Sequence, residues 1–363
     1  MYNCGKKDGL MGVRKEDFGI TSDGFRASLY VLENGNGTVV KISDFGAVIV
    51  AIETKDRNGA LADIALGYPN VTGYEKNGPG FGALIGRHAN RIGKAEFVLN
   101  GVRYPLEKND GENNLHSGAA GYQRRPWEGG ETESELGTAV SFLLNSPDGD
   151  QGFPGNLKVC VTYTLTEDNS LIISYEAVTD ADTVLNLTNH SYFNLAGHAS
   201  GDVLNQKVWI DADYYTEADA ESIPTGRILP VKGTPMDFNT AKPIGRDIDC
   251  DYEALVFGKG YDHNWILKTE DGEVSLVASM EDEESGRGLK VYTDLPGMQF
   301  YTGNFLDGTE KGKDGAVYYR RNGACFETQY FPDSVHHENF LSPVLHAGEE
   351  FRSQTIFHFY VME

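Results

Sequence analysis

Cysteine is scarce in this 363-residue chain: Cys4, Cys160, Cys250 and Cys325 are widely separated, with no CxxC pair and no histidine spacing typical of a zinc site. Four free thiols in a reducing compartment follow, which points to the cytoplasm. Positive charge is short as well, since 31 Lys and Arg face 54 Asp and Glu for a formal net charge of -23. A basic surface for nucleic acid or anionic lipid is thereby disfavoured, so no nucleic-acid partner and no membrane are expected. No apolar run approaches the ~18 residues of a spanning helix, and the N-terminal MYNCGKKDGLMGVRKEDFG has no hydrophobic signal core. The CGKK at 4–7 keeps one alternative open, a periplasmic or lipoprotein-anchored protein whose signal preceded Cys4.

Helical periodicity is missing too. Nowhere do apolar residues hold the i, i+3, i+4, i+7 spacing over three turns. Nucleotide signatures are absent: GTEKGKDG has too few residues between its glycines for a phosphate loop, GALIGRHANRIG is no dinucleotide fingerprint, and neither a G-x-S-x-G elbow nor an HExxH helix occurs.

What is present is strand and turn. EFVLNGVRYPL sets Asn100-Gly101, a preferred two-residue hairpin turn, between two alternating runs. LKVCVTYTLTEDNSLIISYEAV and AVIVAIETKDRNGALADIALGY repeat the strand, turn, strand pattern, and 43 glycines keep breaking the chain. The fold class is all-β, a large antiparallel β-sandwich, with residues 1–17 as an N-terminal extension and 18–363 as one domain. The acidic DADYYTEADAE (211–221) lacks the glycine and ligand spacing of a calcium loop and reads as a solvated loop.

One strand-like stretch carries unusual chemistry. In VLNLTNHSYFNLAG (184–197), alternation puts Leu185, Leu187, Phe193 and Leu195 on one face and Asn186, Thr188, His190, Tyr192 and Asn194 on the other. That polar row suits either a wet sheet face or the wall of a cleft for a polar ligand. In ACFETQYF, Cys325, Glu327 and Gln329 share one face, flanked by apolar neighbours that suit a tuned carboxylate as well as an exposed one.

The short patches NRIGKAEFVLNGVRYPL, NNLHSG, SPDGDQGFPGNLKVCVTYTL, LNLTNHSYFNLAG, IPTGRILPVKGTPMDF, YDHNW, PGMQFYTGNFLDG and ETQYFPDS occur in an order that strongly resembles the aldose 1-epimerases, also called galactose mutarotases. The resemblance runs from about Phe18 to Phe359. It implies a galactose mutarotase-like supersandwich and an isomerase that interconverts the α and β anomers of free aldohexoses such as galactose and glucose. By resemblance His190 is the general acid at the ring oxygen and Glu327 the base at the anomeric hydroxyl. Asn90, Arg91, His116, Tyr192, Asp262 and Gln299 are the implied sugar contacts, the guanidinium offering several fixed donors and the carboxylate accepting from neighbouring hydroxyls. No metal and no organic cofactor is implied, and the partner is a monosaccharide bound by a monomer, with a dimer as the alternative.

Trp265 and Tyr192 are aromatic enough to stack on a sugar, though Trp265 reads as core. His88 and His336 depart from the family pattern and receive no catalytic role. Two other functions fit some residues: a binding protein that kept the cleft without turnover, and a glycoside hydrolase using Asp262 with Glu327. A phosphorylated-sugar epimerase is disfavoured, because no Arg and Lys cluster accompanies the motifs.

Overall fold

The computed structural model describes residues 12–269 and 272–362; Cys4 and most of the N-terminal extension lie outside them. The expected hairpins form where the turn residues stand. Glu96–Leu99 pairs with Val102–Pro105, with Leu99 opposite Val102 across Asn100 and Gly101, both at positive φ as that turn requires. Leu157–Thr166 pairs with Ser170–Thr179, and Val48–Lys55 with Leu61–Asp63.

The first hairpin stands as a two-stranded sheet, while the other two belong to larger antiparallel sheets, of which the described residues form three. The largest has nine strands, among them Gly137–Ser146, Leu157–Thr166, Ser170–Thr179, Glu350–Val361, Arg287–Thr293 and Ser275–Glu281. Alternate residues of these strands (Val140, Phe142, Val159, Val161, Tyr163, Ile173, Phe357, Phe359) point into one continuous apolar core. A five-stranded N-terminal sheet from Arg14–Ile20 to Leu61–Asp63 packs against the same core through Leu32, Val40, Ile42 and Ile52. The class is all-β and the architecture a β-sandwich.

The third sheet matters most for function. Its last three strands, Asp262–Ile266, Gly297–Tyr301 and Cys325–Gln329, are paired so that Asp262, Tyr301 and Cys325 stand in one row and Asn264, Gln299 and Glu327 in the next. Because side chains alternate, both rows share one face. Beside them runs a short strand, Thr188–His190, hydrogen-bonded to Ala83–Ile85.

Two expectations change. The 184–197 stretch is not one long half-wet strand: only Thr183–Val184 and Thr188–His190 are strand, and every residue from Thr183 to Leu195 is buried. Its asparagines serve as internal ties. Asn186 donates to the carbonyls of Ala89 and Tyr330 and accepts from the Tyr330 N–H, while Asn194 donates to the carbonyls of Gly201 and Asn322. Buried irregular backbone must find partners, and short amides supply them. The acidic 211–221 stretch is partly a strand, Tyr214–Ala218, and Lys268 lies 2.9 and 3.0 Å from Asp211 and Asp213. Lys268 thus pairs two of the stretch's five carboxylates, and Arg227 pairs Glu217 at 2.9 Å.

Candidate active site

The strand rows, the Thr188–His190 strand and the loops around them enclose a cleft of about 360 Å³ lined by Asn90, Arg91, His116, His190, Tyr192, Asp262, Gln299 and Glu327, within the size range of small-molecule sites. All eight residues singled out from sequence therefore meet in one place. A larger hollow of about 590 Å³ lies elsewhere, against Phe331, Leu341 and Leu345, but no histidine faces it.

At the floor of the cleft, His190 Nε2 lies 3.5 Å from Glu327 Oε1. Burial acts on the two in opposite directions. It pushes the Glu327 carboxyl well above its usual range, with the Asp262 charge adding to the effect and the Arg91 charge opposing it. It pulls His190 down to about 4. Around the imidazole, Tyr192 stacks at 5.1 Å and 28°, while Tyr301 and His116 meet it edge-on at 6.2 and 5.4 Å. Aromatic packing on three sides fixes the ring plane.

His116 and Asn90 hold each other. The His116 N–H donates to the Asn90 carbonyl at 3.0 Å, and the Asn90 N–H donates to His116 Nδ1 at 3.1 Å. Both residues have positive φ, which these reciprocal bonds maintain. Since Nδ1 accepts, the proton of His116 sits on Nε2, where it is available as a donor. Burial, followed by the charges of His190 and Arg91, keeps this imidazole neutral.

Arg91 Nε donates to Asp110 at 2.8 Å, and Gln299 Nε2 donates to Asp262 Oδ1 at 2.7 Å. Such pairs pre-orient polar groups for ligand hydroxyls. Asn90 Oδ1 is occupied by the Arg91 N–H, and the Tyr192 hydroxyl donates to the Pro79 carbonyl at 2.8 Å, tying the 77–80 loop to the cleft edge. Trp265 is fully buried, with its indole N–H on the Met236 carbonyl, and does not face the cleft. His88 is fully buried and His336 pairs with Asp333, both outside it.

Sequence reading missed Tyr301, Phe305, Asp110, Arg124 and the loop from Asn77 to Gly80, which also line the cleft. Tyr301 was findable, standing two residues beyond Gln299 on the same face. Asp110 and Arg124 carry no local signal, because loop packing alone brings them in.

His116, His190 and Glu327 offer three ligand atoms within 4.8 Å of one another, a spacing a divalent ion can bridge. The donor chemistry does not fit. His116 takes a backbone N–H on Nδ1, so its Nε2 carries the proton and has no lone pair for a metal, whereas histidine ligands donate from the other nitrogen.

Comparison with known proteins places this arrangement. The profile of the family described as Aldose 1-epimerase matches residues 28–358. The chain is 44% identical over 341 residues to the galactose mutarotase of Mus musculus, covering 91% of this chain and 96% of that protein. It is 36% identical over 342 residues to the aldose 1-epimerase of Escherichia coli K12, covering 94% and 97%. Among solved structures it resembles an aldose epimerase homologue from C. elegans with a TM-score of 0.85 and 29% identity, over 93% of this chain and all of that one. A galactose 1-epimerase from Lactobacillus acidophilus also scores 0.85, at 26% identity over 97% and 99%. The chain belongs to the aldose 1-epimerase family.

Proposed function

We propose that the protein interconverts the α and β anomers of free aldohexoses, galactose and glucose among them, by opening and closing the pyranose ring with His190 as acid and Glu327 as base. The enzyme is an isomerase, and aldose anomer interconversion is the reaction its relatives support. The observation that carries the assignment of roles is the buried His190–Glu327 pair, 3.5 Å apart in a cleft of hexose dimensions.

Raising the carboxyl and lowering the imidazole means that the pair holds one proton between them over a wide pH range. That proton has two placements: neutral carboxyl with neutral imidazole, or carboxylate with imidazolium. The second drives ring opening. Glu327 takes the proton of the anomeric O–H as the C1=O double bond forms; the C1–O5 bond breaks, and His190 Nε2–H protonates the departing ring oxygen. The pair is then neutral on both sides, matching its uncharged arrangement. A half-turn about C1–C2 and the reverse transfers close the other anomer.

Around this pair, His116 Nε2–H would donate to the ring oxygen or the C1 region. Arg91, Asp262 and Gln299 would hold the hydroxyls, with Asn90 shaping the loop and Tyr192 forming a wall. The transfers need no metal or organic cofactor. We assign the sugar-binding unit to a single domain over residues 18–363, acting as a monomer. The free thiols Cys160, Cys250 and Cys325 support a cytoplasmic setting.

Polarimetry on freshly dissolved α-galactose and α-glucose tests the reading: the rotation should relax far faster with protein than without. Saturable sugar binding with uncatalysed relaxation would sink it in favour of a binding protein, and release of nitrophenol from a nitrophenyl galactoside in favour of a hydrolase.

A further inference from the structure

His190 has a second ring nitrogen, and the proton transfers above do not use the group that faces it. Cys325 Sγ lies 3.6 Å from His190 Nδ1. The contact follows from register: Cys325 and Glu327 are two residues apart on one strand face, so one meets Nδ1 and the other Nε2. The thiol is fully buried in an apolar cluster with Phe81, Tyr192, Tyr301 and Tyr318. Burial, followed by the charges of Glu327 and Asp262, keeps it protonated and uncharged.

An acid that returns to a neutral imidazole with Nε2 bare must keep its other hydrogen on Nδ1, and that hydrogen needs an acceptor. Two groups are placed to take it, the Cys325 sulfur and the residue's own carbonyl, which can only accept. The aromatic walls prevent the ring from flipping its nitrogens. We infer that Cys325 is a positioning residue for His190: its sulfur accepts the Nδ1–H, so that Nε2 is the nitrogen that gains and loses the proton.

The choice of sulfur has a second consequence. A carboxylate behind a histidine stabilises the imidazolium and raises its basicity. A thiol is a weak, uncharged acceptor and leaves the Nε2 proton easy to give away. The other titratable or charged groups near His190 are His116, Tyr192, Tyr301 and Glu327, with Asp262 and Arg91 across the cleft. None of these is a carboxylate at Nδ1.

This inference rests on the proposed acid role of His190, and its test reads the ring directly in sugar-free protein. Nitrogen NMR of histidine-labelled protein, with the His190 signal assigned by its loss in H190Q, should show Nδ1 protonated and Nε2 bare at neutral pH. C325S should keep that tautomer and the wild-type titration. C325D should raise the proton affinity of His190 by about tenfold or more, and the pH limb of kcat that follows His190 should move with it. If C325D does not fold, C325A serves: it should mix the two tautomers and lower kcat by about tenfold with little change in KM. A wild-type ring protonated at Nε2 would overturn the inference, as would C325A matching wild type in both tautomer and kcat, or a folded C325D titrating as wild type does. Full mutarotation by H190Q would instead overturn the catalytic reading, while leaving the tautomer measurement standing.

Discussion

At Glu327 two neighbours pull in opposite directions, which gives a signed test at the scale of single residues. The Asp262 charge raises the carboxyl and the Arg91 charge lowers it. The pair works with one proton shared between Glu327 and His190, so activity is lost as pH rises through the raised pKa of Glu327 and that proton leaves. D262N removes the raising charge and should bring the alkaline loss of activity to lower pH; R91Q removes the lowering charge and should carry activity to higher pH. Both should also raise KM, since both side chains face the cleft. The pH profile of kcat for the two variants checks this, and a shift of the same sign in both would contradict the electrostatics. The residue types at these positions were legible in the sequence. The Asp110 carboxylate that holds Arg91 was not, because nothing in LEKNDGENN marks it apart from any other loop acid.

Elements carry the next level of specification. Alternation within a strand was readable, which is why Cys325 and Glu327 were placed on one face correctly, as were the hairpins around Asn100-Gly101 and Asp168-Asn169. Register between strands was not. The row Asn264, Gln299, Glu327 joins residues from three separated segments, and pairing across such intervals leaves no local trace. The 184–197 stretch shows the same limit from the other side: its alternation suggests one strand with a polar face, whereas only two short pieces are strand and every residue from Thr183 to Leu195 is buried. His190 and Tyr192 reach the cleft, while Asn186 and Asn194 tie buried loops together. Asn186→Ala removes three hydrogen bonds and strands two carbonyls and an N–H, so urea unfolding should show a loss of about 2–4 kcal/mol. A loss below the error of the measurement would mean that water satisfies these groups.

For the whole molecule, the buried histidines set a response to acid. Burial lowers His88, His190 and His263 to about 4, and an unfolded chain would titrate them near ~6.5. Their folded pKa is depressed, so between those values the unfolded state binds more protons, and stability is lost as pH falls from ~6.5 toward 4. His88 contributes with little recompense: neither ring nitrogen makes a well-formed hydrogen bond, and only the Asp333 charge and the Ala89 backbone offset its burial. H88F should raise stability at pH 4 to 5 by roughly 1–3 kcal/mol and flatten the fall in Tm, with mutarotase activity retained. A Tm profile with unchanged slope would contradict that burial account. The activity of the whole enzyme is where the central claim is met most directly: the rate at which α-galactose relaxes in the presence of wild type, H190Q, E327Q and the double variant, followed by polarimetry at saturating sugar. Each single change should cut kcat by about 10²–10⁴-fold, and the double variant should be little worse than either, because acid and base act in one concerted exchange. Relaxation at the wild-type rate by either single variant would contradict the assignment of the His190–Glu327 pair.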